Sequence, residues 1–194
     1  MRGPKQFVLA TLVLFLVCAL PVPGQAQKTS RPSPDPIDVE QLYSGFLGDW
    51  VGQLEYRDFS DNSRVFLPTW LHATLTSDGR SLRFAYVYDD GPTKIVRELS
   101  VITLDPVAGT IAFTSDRDHS SDTYKVSGLG EFAAKGRGSL ALAGTGEEND
   151  KKVEVKITIT LRRNLYTYQK ETRLPGQDFQ FRDGYTFTRK EEPK

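Results

Sequence analysis

Sulphur is nearly absent from this 194-residue chain, which has one cysteine and one methionine. The cysteine, Cys18, lies in an apolar segment near the N-terminus, so a chain processed after that segment keeps no cysteine. Such a chain has no disulfide, no thiolate metal site and no cysteine nucleophile. Lipid attachment to Cys18 is not favoured, because Val17 rather than a small residue precedes it. The folded domain therefore depends on its hydrophobic core alone.

The sequence also lacks the short motifs of common catalytic and nucleotide-binding sites. It contains no Gly-x-Ser-x-Gly, no His-Glu-x-x-His and no phosphate-binding P-loop. The segments "GLGEFA" and "GRGSLA" each hold two glycines of the dinucleotide fingerprint, but we predict strands around them and no following helix, which makes them turns. The loop "SDRDHSSD" lacks the central glycine and closing glutamate of an EF-hand. We therefore predict no catalytic residue, no cofactor and no metal site.

Neither sign of charge is in excess. The chain has 25 basic and 25 acidic residues. Binding to nucleic acid or to anionic lipid requires a basic patch or a basic excess. We expect no nucleic acid partner and no stable membrane anchor, and the oligomeric state stays open.

The first 26 residues have the three-part layout of a secretory signal peptide. Arg2 and Lys5 precede an apolar run over residues 7–20, and the small residue Ala26 ends the segment. The run is shorter than the roughly 20 residues that a membrane-spanning helix needs. We predict cleavage after Ala26 and export to the periplasm or the medium.

A proline-rich leader and one helix follow the predicted signal peptide. Residues 27–36, "QKTSRPSPDP", have little to bury and are predicted to be extended. Apolar residues then recur at helical spacing, at Val39, Leu42, Tyr43, Phe46 and Leu47. We predict that Asp35 caps this helix, with Pro36 in its first position, and that Gly48 ends it in a left-handed conformation.

After Gly48 the sequence alternates as strands do. Runs such as "VEVKITITL" and "SLRFAYVY" place apolar residues on one face, and "FQFRDGYTF" does so with Phe179, Phe181, Tyr185 and Phe187. Turn signals separate about ten such runs, with no second helix. Successive strands with short connections hide their edges most simply by closing. We predict an all-β fold over residues 37–194, an up-and-down antiparallel closed β-barrel with the helix at its floor; a β-sandwich is the alternative.

The start of the first strand and the end of the last carry a family resemblance. Gly48, Trp50 and an arginine at 189 in "YTFTR" resemble the calycin superfamily, which includes lipocalins and fatty-acid-binding proteins. The layout is similar to that of exported bacterial lipocalin-like domains and of the nitrobindin group. The resemblance implies that Trp50 closes the barrel floor, that Arg189 stacks across it, and that a ligand enters at the other end. Nitrobindin-like proteins bind haem through a histidine, and the two late strands here have none.

Aromatic residues on the predicted inward faces are the candidate ligand-binding set. They are Phe84, Tyr86, Tyr88, Tyr166, Tyr168 and Tyr185. The alternative is that they only fill the interior. A buried tyrosine combines a ring with a hydroxyl that needs a partner, which suits a ligand with both apolar and polar parts.

Charged residues within the strands complete the candidate set. Arg97 in "KIVRELSVITL" is predicted to share a face with apolar neighbours. There it would either bind a carboxylate, or else pair with an acidic side chain or open to solvent at a rim. Glu171 and Arg182 allow the same two interpretations. The leading hypothesis is an exported protein that binds a small amphipathic or apolar molecule. The alternatives are a filled barrel that acts through its outer surface, and an isomerase- or decarboxylase-type enzyme in the same barrel.

Overall fold

The computed structural model of the protein describes residues 37–190. The predicted signal peptide and leader lie outside the described residues, and so do Asp35 and Pro36. The described chain contains these elements: α1 Val39–Ser44, β1 Gly48–Arg57, β2 Arg64–Leu75, β3 Ser81–Asp89, β4 Ile95–Asp105, β5 Thr110–Ser115, β6 Ser121–Ser127, α2 Leu129–Lys135, β7 Gly138–Glu148, β8 Lys151–Arg162, β9 Leu165–Arg173 and β10 Gln180–Arg189.

The ten strands form one closed antiparallel barrel. Each strand pairs with the next in sequence, and β10 pairs with β1, giving the order β1-β10-β9-β8-β7-β6-β5-β4-β3-β2. Closure pairs both edges, so no strand is left as a template for aggregation. The predicted closed up-and-down barrel is confirmed, and the sandwich alternative is wrong.

Apolar side chains at every second position of the strands fill the barrel interior. The clearest case is β8, whose buried residues are Val153, Val155, Ile157, Ile159 and Leu161. Full burial of one such aliphatic side chain contributes about 1.5–3 kcal/mol. The register of β8 against β7 runs from Gly138 opposite Leu161 to Glu148 opposite Lys151. A slip of one residue would turn the whole apolar set toward solvent, so the pattern also fixes the register.

The helix α1 begins and ends at other residues than the sequence predicted. Asp38 is its N-cap, because its carboxylate accepts a hydrogen bond from the backbone N–H of Gln41 at 3.0 Å. The helix ends at Ser44, and Gly45 follows in a right-handed conformation. Gly48 has a φ of 107°, but it opens β1 instead of ending the helix.

A second helix, α2, corrects the prediction that "GLGEFA" is a turn. It lies between β6 and β7, and glycines 128 and 136 flank it in the left-handed region, with φ of 89° and 59°. Its buried residues are Leu129, Phe132 and Ala133. The Phe132 ring stacks on Phe46 with centroids 5.8 Å apart. The helix thus belongs to the floor, the barrel end that also carries α1 and the start of β1. Seven residues are too few for helical periodicity to stand out.

Candidate functional site

Trp50 closes the floor of the barrel and is held on both sides. Its exposed fraction is 1%, and its indole N–H donates to the carbonyl of Phe46 at 2.7 Å. The Arg189 guanidinium lies 4.1 Å from the centre of the indole ring and donates to the carbonyls of Gly45, at 2.8 Å, and Leu47. Burial lowers the pKa of Arg189. The arrangement combines a cation–π contact with hydrogen bonds to the chain that leaves α1.

The lower half of the interior is packed by its own side chains. The Phe46 ring meets Tyr166 edge-on with centroids 5.4 Å apart, and Tyr166 stacks on Phe187 at 5.7 Å. Phe84 is 1% exposed in the same group. A cavity of about 20 Å³ remains between these rings and Ile102. That volume is of the order of one water molecule, so this half of the barrel has no room for a larger ligand.

Four tyrosines form a layer above this packed half, which we call the tyrosine layer: Tyr86, Tyr88, Tyr168 and Tyr185. The Tyr86 ring stacks on Tyr88 and on Tyr185, with centroids 5.8 and 5.3 Å apart. The hydroxyls of Tyr88 and Tyr185 are 2.9 Å apart and share a hydrogen bond. Tyr168 meets Tyr185 edge-on at 5.8 Å.

Burial sets the chemistry of the tyrosine layer. It raises the pKa of all four hydroxyls well above the ordinary value of 10.0. The hydroxyls are therefore neutral across the physiological pH range. They can donate and accept hydrogen bonds to a ligand, but they do not supply a tyrosinate base.

Ionisable side chains face inward at the level of the tyrosine layer and beyond it toward the mouth, the barrel end opposite α1. The register places Asp183 opposite Tyr56 on β1 and opposite Lys170 on β9, and Glu98 opposite Tyr86 on β3. Burial raises the pKa of the Asp183 carboxyl, against the positive charges of Lys170 and Arg182. Sequence reasoning missed these residues because a charged residue in an alternating strand is usually assigned to the outer face.

A β-bulge explains one error in the predicted faces. The pairing of β10 with β9 shifts between Phe181 and Asp183, which leaves Arg182 as the extra residue. Asp183 faces inward with Tyr185, whereas Phe181 pairs with Glu171, which forms an ion pair with the exposed Lys156 at 2.8 Å. Phe181 is thus on the outer face, not on the inward face predicted for it.

Arg97 shares a face of β4 with apolar residues, as predicted, but that face is the outer one. On β4 the buried residues are Ile102 and Leu104, and the same alternation turns Glu98 inward and Arg97 outward. Arg97 is exposed. Apolar residues occur on both faces of β4, so alternation alone could not identify the inward one. The structure thus separates Arg97 from the tyrosines with which it was grouped.

A pocket of about 300 Å³ opens at the mouth. We call it the mouth pocket; its lining includes Arg57, Phe59, Asn62, Glu148, Thr172, Phe181 and Arg182. The Arg182 guanidinium lies 3.4 Å from the centre of the Phe59 ring, its Nε is 3.6 Å from Glu148 Oε1, and its Nη1 donates to the carbonyl of Arg57. Thr172 donates to the other Glu148 oxygen at 3.1 Å. The Arg182 guanidinium therefore meets the end of β1 at the rim.

Two further polar clusters, around Asp118 in the "SDRDHSSD" loop and around His72, lie on the outer surface. Asp118 accepts hydrogen bonds from the hydroxyl and the N–H of Ser120, at 2.8 and 3.1 Å, within its exposed loop. His72 pairs with Asp49 at 2.7 Å on the outer face of β2. Within residues 37–190 no group of three His, Cys, Asp or Glu side chains is placed to hold a metal ion. In the same range no helix has the length and apolar character needed to cross a membrane.

The geometry defines a calycin-like barrel. The sequence matches no family model and no curated protein. Among solved structures it is similar to the S-type phycobiliprotein lyase CPES from Guillardia theta, with a TM-score of 0.55 and 9% identity over 80% of this chain and 94% of that chain. At that identity the similarity is one of fold.

Proposed function

We propose that this protein is an exported binding protein for a small amphipathic molecule, which enters at the mouth and reaches the tyrosine layer. The observation that carries the proposal is the contrast along the barrel axis. The lower half leaves a cavity of about 20 Å³, whereas a pocket of about 300 Å³ opens at the mouth. That larger volume is at the lower end of the roughly 300–1,000 Å³ typical of small-molecule sites.

The side chains on the inward path indicate the chemistry of the ligand. Stacked tyrosine rings offer flat apolar surface, and their neutral hydroxyls offer hydrogen bonds. A ligand with a planar or chain-like apolar body and a few polar atoms uses both. The similarity to a barrel named as a phycobiliprotein lyase is consistent with a small-molecule ligand, but the tyrosine side chains support the proposal more directly.

Export is the second part of the proposal and rests on the N-terminal sequence. The basic start, apolar run and small residue at Ala26 are the features that support it. N-terminal sequencing of the protein recovered from the periplasm or the medium tests it. A mature chain that begins at Gln27 is the expected result, and a protein that keeps Met1 inside the cell contradicts export.

Native mass spectrometry of protein purified gently from its own compartment tests ligand binding. We expect a reproducible adduct that denaturation removes. The variant Tyr86→Ala should lose most of the adduct, whereas Trp70→Ala, on the outer face of β2, should keep it. A clean apo mass, even after a panel of amphipathic molecules is offered, contradicts the proposal.

One observation favours a different function. Large apolar side chains are exposed on the outer wall, at Phe66 (50%), Trp70 (45%) and Ile95 (51%). Exposed apolar side chains grouped on one wall are typical of interaction surfaces. A filled barrel that binds a partner through this wall is therefore the second candidate, and an apo mass in the experiment above supports it.

A further inference from the structure

We infer that the mouth pocket contains a carboxylate-binding site built on Arg57, so that the ligand is a monocarboxylic acid with an apolar body. The inference rests on the proposed function, because it names the polar group of the same ligand. It assigns to Arg57 the role that the sequence suggested for Arg97.

The hydrogen bonds of Arg57 leave one edge of its guanidinium unused. Its Nη1 donates to the Asn62 side-chain oxygen at 3.1 Å. Its Nε is buried and has no hydrogen-bond partner among residues 37–190. The edge formed by Nε and Nη2 is the one that takes a carboxylate with two parallel hydrogen bonds. Because Asn62 holds the opposite side, that edge is already oriented.

The acidic side chains of the pocket are engaged elsewhere. Glu148 lies 3.6 Å from Arg182 and accepts from Thr172. Asp58 accepts from the backbone N–H of Ser60 at 2.7 Å and from its hydroxyl, within the β1–β2 loop. Among the described residues no acidic group lies within ion-pair distance of Arg57. A partly buried cation without an acidic partner favours the binding of an anion.

The residues around Arg57 favour some anions over others. Glu148 and Asp58 add negative charge to the pocket lining, which disfavours a dianion such as phosphate more than a monocarboxylate. Phe59 and Phe181 add apolar surface beside the cation. A monocarboxylic acid whose ring or chain passes these phenylalanines and extends toward the tyrosine layer satisfies all three features.

Isothermal titration calorimetry with a matched pair of probes tests the inference on the full chain. The probes are 3-phenylpropanoate and its neutral amide, which differ in charge and little in shape. The wild type should bind the acid about tenfold more tightly than the amide, as expected for a charge-assisted bidentate contact. Arg57→Gln should remove that preference. Arg97→Gln, which changes an exposed arginine of the outer face, should keep it.

A second measurement on the wild type covers the case in which Arg57→Gln does not fold. Propanoate should compete with 3-phenylpropanoate, and inorganic phosphate at the same concentration should not. Equal affinity for acid and amide, or competition by phosphate, overturns the carboxylate site and leaves the proposed binding function intact. If neither probe binds, the inference is overturned; the proposed function falls only if native mass spectrometry also finds no adduct.

Discussion

The two ends of this barrel differ in whether their buried polar groups have hydrogen-bond partners. At the floor Trp50 and Arg189 donate to backbone carbonyls, and the buried Tyr43 hydroxyl accepts from the N–H of Leu104 at 2.9 Å. At the mouth Arg57 Nε has no partner within the described chain, and burial raises the pKa of Asp183. Satisfied polar groups contribute to stability, whereas unsatisfied ones cost stability and remain available to a ligand. The comparison separates an end whose polar groups are satisfied within the protein from an end where some are not.

The largest expected effect is at the floor tryptophan. Trp50→Ala should lower the free energy of unfolding by about 3–5 kcal/mol, because it empties a fully buried site of an indole. Trp70→Ala is the matched control, since the Trp70 side chain is 45% exposed, and it should cost less than about 1 kcal/mol. Urea unfolding followed by circular dichroism measures both. Equal costs would remove the distinction between the closed floor and the outer wall.

Substitution of Arg189 should cause the next largest loss of unfolding free energy. Arg189→Met keeps an apolar side chain over the indole but loses the charge and the bonds to Gly45 and Leu47. We expect a loss of about 2 kcal/mol, the sum expected for a cation–π contact and a charged hydrogen bond. Lys190→Met, at the exposed next residue, should change the unfolding free energy little. A loss equal to that control would mean that the floor closes without its arginine.

Near the mouth, substitution of Asp183 is expected to raise the free energy of unfolding. Because the pKa of Asp183 is raised in the folded protein, the folded state binds more protons than the unfolded state between the unfolded and folded pKa values. Stability from this group therefore falls as pH rises through that window, and the cost is fully present above the folded pKa. Asp183→Asn should raise the unfolding free energy at pH 7 by less than Arg189→Met lowers it, and the gain should shrink as the pH falls through that window.

Asp118 serves as a control because its pKa is shifted in the opposite direction, so its effect on stability should depend on pH with the opposite sign. Hydrogen bonds from Ser120 hold the pKa of its carboxyl below the ordinary value, so its contribution is present at neutral pH and is lost as pH falls. Asp118→Asn should lower the unfolding free energy at pH 7, with a difference that vanishes in acid. Chemical denaturation of both variants from pH 3 to pH 8 measures the two slopes. If Asp183→Asn follows the sign of Asp118→Asn, Asp183 is a satisfied ion pair.

The smallest effect is expected within the tyrosine layer. Tyr88→Phe removes the hydrogen bond to Tyr185 and should cost about 0.5–1.5 kcal/mol, because water entering from the mouth can replace the lost partner. Tyr43→Phe at the floor should cost more, about 1–3 kcal/mol, because it leaves the buried N–H of Leu104 unpaired. Thermal unfolding of the two variants gives the comparison. The reverse order would show that the floor is the wetter end.

Much of the fold could be predicted from local patterns, and the exceptions have local causes. The period-two run from Val153 to Leu161 is long enough to identify β8, and turn residues mark the strand ends. The stripe of α2 covers only seven residues, too few for periodicity to identify it. Two aspartates precede α1, and only the position of the Asp38 carboxylate beside the N–H of Gln41 selects the cap.

The candidate site was less predictable, because it depends on faces and on distant pairs. Arg97 and Glu98 are adjacent in a strand with apolar residues on both faces, so the sequence does not identify which of them faces inward. The bulge at Arg182 shifts the alternation of β10 by one residue and turns Phe181 outward. Arg57 carried no signal at all, since an arginine at a strand end is common on any surface.

The sequence by itself determined the closed barrel, its up-and-down order and its apolar core, because hydrophobic alternation and turn chemistry act between residues close in the chain. Only the tertiary structure decided where the interior is filled and where it is open. It also decided which distant groups meet, since β1 pairs with β10 and the Arg182 guanidinium, from the far end of the chain, donates to the backbone carbonyl of Arg57. Such a contact has no signature within either segment, because burial and pairing arise only when the barrel closes.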